Sequence, residues 1–166
     1  MMDPPGSILY FGYNKGKRQR GTSMLALLLA ALSGLLMALQ GSLNSALSKT
    51  IGLLEATFVV QVVGSLTGVL LLLSGLGQGN WQKFREAPWY TYLGGIIGVA
   101  IVYLVVASIS KVGVAPATTA IIVGQVTTAA VVDFFGWFGL EPVPFNLWKG
   151  VGLLLLAGGA WLLLSR

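Results

Sequence analysis

The sequence predicts an all-helical membrane protein, a bundle of five transmembrane helices. Three observations lead there. Of 166 residues, 55% are hydrophobic and only 9% charged, where a soluble domain carries about a quarter charged residues. Five apolar windows of about 20 residues, the length that crosses a bilayer, follow one another at 24–47, 56–76, 89–109, 114–138 and 145–164. The connections 48–55, 110–113 and 139–144 are short, so neighbouring helices run antiparallel and touch.

Composition also removes whole classes of function. With no Cys and no His, the chain cannot form a disulfide, a zinc site, a haem ligated by His or Cys, or a triad with a His base. An enzyme is not expected, and neither is a cofactor or a metal. Ten basic residues against five acidic ones give a net charge of +5, too scattered among apolar runs to form a nucleic-acid-binding stripe. The 23 glycines are about twice the usual share of roughly 7%, which in an apolar chain favours helices packed through small faces.

Residues 1–23 read as a basic mobile tail, with Pro4, Pro5 and Gly6 followed by Lys15, Lys17, Arg18 and Arg20. A basic stretch before an apolar run also fits a secretory signal peptide, with Ala38 to Gly41 loosely like a cleavage site. Against that, the first span is longer than the usual apolar region of such a peptide. On that span, 24–47, Gln40 and Asn44 stand four apart with Ser33 and Ser48 roughly on the same side, a polar stripe on an apolar helix. The stripe serves either interhelical hydrogen bonds, of about 1 kcal/mol each, or contact with a ligand.

The second span, 56–76, repeats the theme with Gln61 and Ser65 beside Gly64 and Gly68, a small face suited to packing. Glu55 precedes it, where a carboxylate favours the helix dipole or takes part in proton coupling. Gly75, Gly77 and Gly79 then form a linker that lacks the Lys of a phosphate-binding loop. In the third span, 89–109, Gly94, Gly95 and Gly98 form another small face. Tyr103 lies deep in this span; its hydroxyl needs a partner and its ring can hold a cation.

The fourth span, 114–138, is the most polar. Thr118, Gln125 and Asp133 fall within an arc of about 80° at 100° per residue, near Thr127, Thr128 and the small Gly124. A carboxylate at mid-membrane costs roughly 2.5–3.5 kcal/mol. Asp133 therefore faces protein or water as a functional acid, or it reaches headgroup water near Trp137. The fifth span, 145–164, is rich in Gly and Leu. Trp89, Trp137, Trp148 and Trp161 stand near span ends, as an interfacial aromatic belt places them.

Basic residues in short loops orient membrane helices. Seven of the ten fall on the side of the tail and three, Lys49, Lys111 and Arg166, on the other; without the tail the two sides carry three each. The core bundle has no orientation preference and can insert both ways.

Several patterns together resemble one family. They are Gln40-x-x-x-Asn44-x-x-Leu47, Leu93-Gly94-Gly95-x-x-Gly98, Gly124-Gln125, Asp133-x-Phe135-Gly136-x-x-Gly139-Leu140 and the Gly- and Leu-rich fifth span. The chain resembles the short, five-span YdcZ-type proteins of the drug/metabolite transporter superfamily. The resemblance implies a multi-pass protein of the prokaryotic inner membrane and a role as a small-molecule exporter. It further implies an antiparallel dimer that rebuilds a ten-helix inverted-repeat transporter, moving its substrate by alternating access.

The partners expected are thus the lipid bilayer, a second copy or a similar subunit, and a small polar or cationic solute. Gln40, Asn44, Tyr103, Gln125 and Thr118 are the candidates for contacting the solute, with Asp133 or Glu55 as the proton-coupling acid. Gly64, Gly68, Gly94, Gly98 and Gly124 are the helix-packing candidates. Two other readings stay open: a small ion channel built on the same dual-oriented dimer, and an accessory subunit whose polar stripes serve only assembly.

Overall fold

A computed structural model of the chain describes residues 20–165, with side chains from Met24 onward. The described residues form five α-helices: α1 (Arg20–Ile51), α2 (Leu53–Leu73), α3 (Leu93–Val112), α4 (Val114–Phe135) and α5 (Leu147–Leu164). All five are long and apolar enough to cross a membrane. At 1.5 Å per residue α2 and α4 are about 32–33 Å long, the thickness of a bilayer's hydrocarbon core. The helices are apolar all round, which is the pattern of a span embedded in lipid. The chain divides after Met37 into two units. Among the described residues the first is the N-terminal stretch of α1, and the second holds the rest of α1 with α2 to α5.

The expected spans are all present, but their ends lie elsewhere. α1 runs from Arg20, so the last residues of the expected tail, 20–23, are helical, while 1–19 lie outside the described residues. α1 continues to Ile51 and α2 begins at Leu53, so the expected connection 48–55 shrinks to Gly52 alone. The same happens between α3 and α4, where Gly113 is the whole connection. Both glycines hold conformations open to almost no other residue, φ 102°, ψ 159° at Gly52 and φ 90°, ψ 170° at Gly113. Lys49 and Lys111 occupy the last turns of α1 and α3, where a cation is favoured by the helix dipole.

At the opposite ends the connections are longer and structured. α2 stops at Leu73, three residues short of the expected end, where the Ser74 amide caps it onto the Leu70 carbonyl and Gly75 turns at φ 82°. The linker then forms a 3-10 helix, Trp81–Glu86, capped by the Asn80 side chain accepting from the Gln82 amide at 2.9 Å. A second one, Trp89–Tyr92, leads into α3. α4 ends at Phe135 and not at 138, because Gly136 enters the left-handed region at φ 62°, ψ 35°. α5 starts at Leu147, where the Asn146 side chain accepts from the Lys149 amide at 2.8 Å. Rings line this end: Phe135 stacks on Trp137 at 5.5 Å, and Tyr90 lies 6.4 Å from Phe138.

Within the second unit α3 is central. It packs against α2 and α4, and α4 packs against α5. α1 meets α3 at Gly41, where a side chain's first carbon would stand 2.8 Å from Ile109 Cδ1 and 3.2 Å from Val105 Cγ1. Beside it the hydroxyls of Ser45 and Ser110 are hydrogen-bonded at 3.1 Å. Every buried residue among those described (Gly41, Asn44, Ser45, Ala56, Thr57, Val106, Ile109, Ala117 and Ala160) lies between mid-depth, where Gly41 stands, and the end of the bundle at Gly52 and Gly113. Between mid-depth and the aromatic turns none of the described residues is buried.

Candidate functional site

The elements set the depth of each polar residue. Gln40 stands twelve residues before Gly52 and Gln125 twelve after Gly113, so each lies about 18 Å from the glycine turns along its helix. Tyr103, ten residues before Gly113, is at about 15 Å. These three therefore sit near the middle of a ~30 Å hydrocarbon core. All three are exposed in the single chain, Tyr103 by 39%. Asn44 differs, being 7% exposed on the α1 face that carries Gly41 and Ser45. Thr118 is half-buried, one turn into α4.

The fold therefore brings Asn44 into its packed end and leaves Gln40, Tyr103 and Gln125 as separate polar positions at one depth. A cleft of about 360 Å³ lies elsewhere, between the stretch of α4 from Thr127 to Phe135 and the residues Phe145 and Leu153. Its one hydroxyl, on Thr127, is used within α4, donating to the Val123 carbonyl at 2.7 Å. The cleft is an apolar recess, and none of the solute-contact candidates lines it.

The two acids stand at opposite ends of the span. Asp133 is twenty residues past Gly113, about 30 Å along α4, at the level of the aromatic turns. Its side chain is half-buried, and its backbone carbonyl accepts from the Val143 amide at 2.8 Å, which pins the α4–α5 connection to the end of α4. Lys149, in the first turn of α5, donates its Nζ to the Pro144 carbonyl at 3.3 Å. Glu55 is exposed in the first turn of α2, and its carboxylate folds back over Gly52, occupying the space a side chain there would need.

The seam expected through the small faces is not formed within the chain. Gly64, Gly68, Gly94 and Gly124 have no neighbouring atom within 4 Å of where a side chain would begin, and at Gly98 only the Gln61 amide comes near, at 3.8 Å. Helices α2 and α3 are neighbours, but their glycines do not meet. The close approach is at Gly41, which the sequence reading passed over, as it did the Ser45–Ser110 bond. A serine is common on membrane helices, and only the crossing of α1 and α3 makes this pair.

Residues 25–162 match the family described as "Putative inner membrane exporter, YdcZ". The chain is 27% identical over 149 residues to the inner membrane protein YdcZ of Escherichia coli K12, which covers 86% of this chain and 95% of that protein. No solved structure gives a significant match. With five helices of membrane-spanning length and the family pattern running through all of them, the chain is a multi-pass membrane protein and belongs to the YdcZ family of inner-membrane exporters.

Proposed function

We propose that the chain exports a small polar or cationic solute by alternating access between two oppositely inserted five-helix subunits, two copies of this chain or this chain with a similar one. One observation carries the reading. Gln40, Tyr103 and Gln125 are exposed on the isolated subunit at mid-membrane depth, where amides facing lipid are expensive and are met facing protein or a water-filled path. A partner facing them covers the polar surface and encloses a solute path at the midplane, where inverted-repeat carriers bind. The open glycine faces at Gly64, Gly68, Gly94 and Gly124 offer that partner close approach.

Inversion also explains the acids. Glu55 and Asp133 lie at opposite ends of one subunit, so an inverted partner brings its Asp133 to the membrane face of the first subunit's Glu55. Each face of the pair then carries one of each, and either serves as the proton-coupling acid. An Asp133→Asn or Glu55→Gln variant that keeps full proton-driven uptake in vesicles removes that acid from the scheme.

Topology is the direct test. The chain has no Cys, so Thr50→Cys and Gln78→Cys, both at exposed positions on opposite sides of the span, report orientation cleanly. Substantial labelling of both in intact cells by a membrane-impermeant thiol reagent is the expected result. Labelling of one alone rules out the antiparallel homodimer and leaves an oppositely oriented partner subunit.

A further inference from the structure

We propose that Gly52 and Gly113 are paired hinges, and that the subunit changes shape by spreading at its aromatic end while its glycine end stays closed. The two connections are the same device used twice. Each is one residue long, each glycine holds φ near 90–100° with ψ near 160–170°, and each sits in the same hydrogen-bond frame. Gly52 N–H donates to the Ser48 carbonyl at 3.0 Å and its carbonyl accepts from Ala56 at 3.1 Å. Gly113 N–H donates to Ile109 at 2.9 Å and its carbonyl accepts from Ala117 at 3.3 Å. The residues repeat as well: Ile51-Gly52-Leu53-x-x-Ala56-Thr57 and Val112-Gly113-Val114-x-x-Ala117-Thr118.

A one-residue connection leaves a helix pair only two soft torsions, and hinges are the few residues that absorb such changes. Packing decides which end moves. Ala56 and Ala117, each one turn past its glycine, are 0% and 3% exposed. Val106 and Ile109 lie buried beside them, and Ser45 to Ser110 is the one side-chain hydrogen bond between two α-helices among the described residues. Beyond Ala117, α4 has no buried residue, and an apolar recess of about 360 Å³ lies along its far half beside Phe145 and Leu153. With α4 at 22 residues, a swing of about 10° at Gly113 moves its far end by about 6 Å. Gln125, halfway along, moves by about half of that, so the hinge acts on the proposed solute path.

This deepens the carrier reading by assigning its moving part, but its test needs no substrate. Spin-label pairs are placed in the full chain in lipid bilayers, diluted with unlabelled chain so that distances within one subunit dominate. Leu54→Cys with Ala115→Cys, each two residues past its glycine and exposed, reports the glycine end; Ser74→Cys with Leu140→Cys reports the aromatic end. The expected result is one narrow distance at the first pair, and at the second a broad distribution or two populations separated by about 6 Å, the swing worked above. Equal widths at both ends, or a broad first pair, overturn the proposal. Gly113→Ala merges the two populations if it inserts; two unchanged populations in that variant also overturn it, and if it does not insert the pairs in the unaltered hinge decide. A subunit with the expected asymmetry that moves no solute sinks the carrier and leaves the hinges, while a working carrier with equal widths does the reverse.

Discussion

Replacing Gly136 by Ala tests how the turn beneath Asp133 is built. Gly136 ends α4 in the left-handed region, φ 62°, ψ 35°, which costs an L-residue about 1–2 kcal/mol. The new methyl would stand 2.7 Å from Pro142 Cγ, 2.9 Å from the Leu140 carbonyl oxygen and 3.1 Å from Pro142 Cδ. A pyrrolidine ring and a backbone oxygen cannot rotate aside, so the turn must open, at an overpacking cost of about 1–3 kcal/mol. Together Gly136→Ala should lose about 2–5 kcal/mol. Gly139 is the internal control: it too has a positive φ, 81°, but nothing lies within 4 Å of its missing side chain. Gly139→Ala should lose only the backbone component, about 1–2 kcal/mol. The assay is SDS titration of the purified protein in mixed micelles, followed by far-UV circular dichroism. The reasoning is refuted by equal losses in the two variants, or by a Gly136→Ala protein within about 0.5 kcal/mol of the parent, the range of an ordinary surface change.

Three further outcomes follow from the same geometry. Ser45→Ala removes the Ser45–Ser110 hydrogen bond at 3.1 Å and should cost about 0.6 kcal/mol, the average for such bonds between membrane helices, and no more than about 1.7 kcal/mol; in a double-mutant cycle the Ser45→Ala, Ser110→Ala pair should lose no more than the larger single change, and simple additivity would refute the bond. Asn146→Ala takes the cap from α5 and should cost about 0.5–2 kcal/mol, while Asn146→Asp keeps an acceptor for the Lys149 amide and stays near the parent in the same titration. Gly41→Leu drives a side chain into Ile109 and Val105 and should cost about 1–3 kcal/mol, whereas Gly64→Leu, into open space within the chain, should escape that overpacking cost.

Much of the architecture was legible in the residues because membrane spans obey a strong local rule. A helix must satisfy its own backbone in lipid, so about 20 apolar residues announce a span without reference to any neighbour. The five windows and their order are in the structure, and the family that the chain resembled is the one whose model matches residues 25–162. The ends were less legible, since hydropathy changes gradually while a helix stops at a single residue. Apolarity carries past Phe135 to Phe138, yet the helix ends where Gly136 turns left-handed. Glycine has two uses that composition does not separate. At Gly52, Gly113 and Gly136 it holds a positive φ. At Gly64, Gly68, Gly94 and Gly124 it lies in regular helix with open space beside it.

By itself the sequence determined that the chain lives in a bilayer, that five of its stretches are long and apolar enough to cross it, that no Cys or His chemistry is available to it, and which side chains are polar at which position along each helix. Those properties depend on residue type and on spacing along one helix. The tertiary structure decided which helices cross and where: that Gly41 and not Gly64 is the point of close approach, that Ser45 finds Ser110 across 65 positions of chain, and that burial gathers at the glycine end while Gln40, Tyr103 and Gln125 stay uncovered. Lipid is as apolar as the helices, so hydrophobicity drives a helix into the membrane but does not choose its neighbour there. That choice rests on shape and on single hydrogen bonds, which exist only once two helices have met.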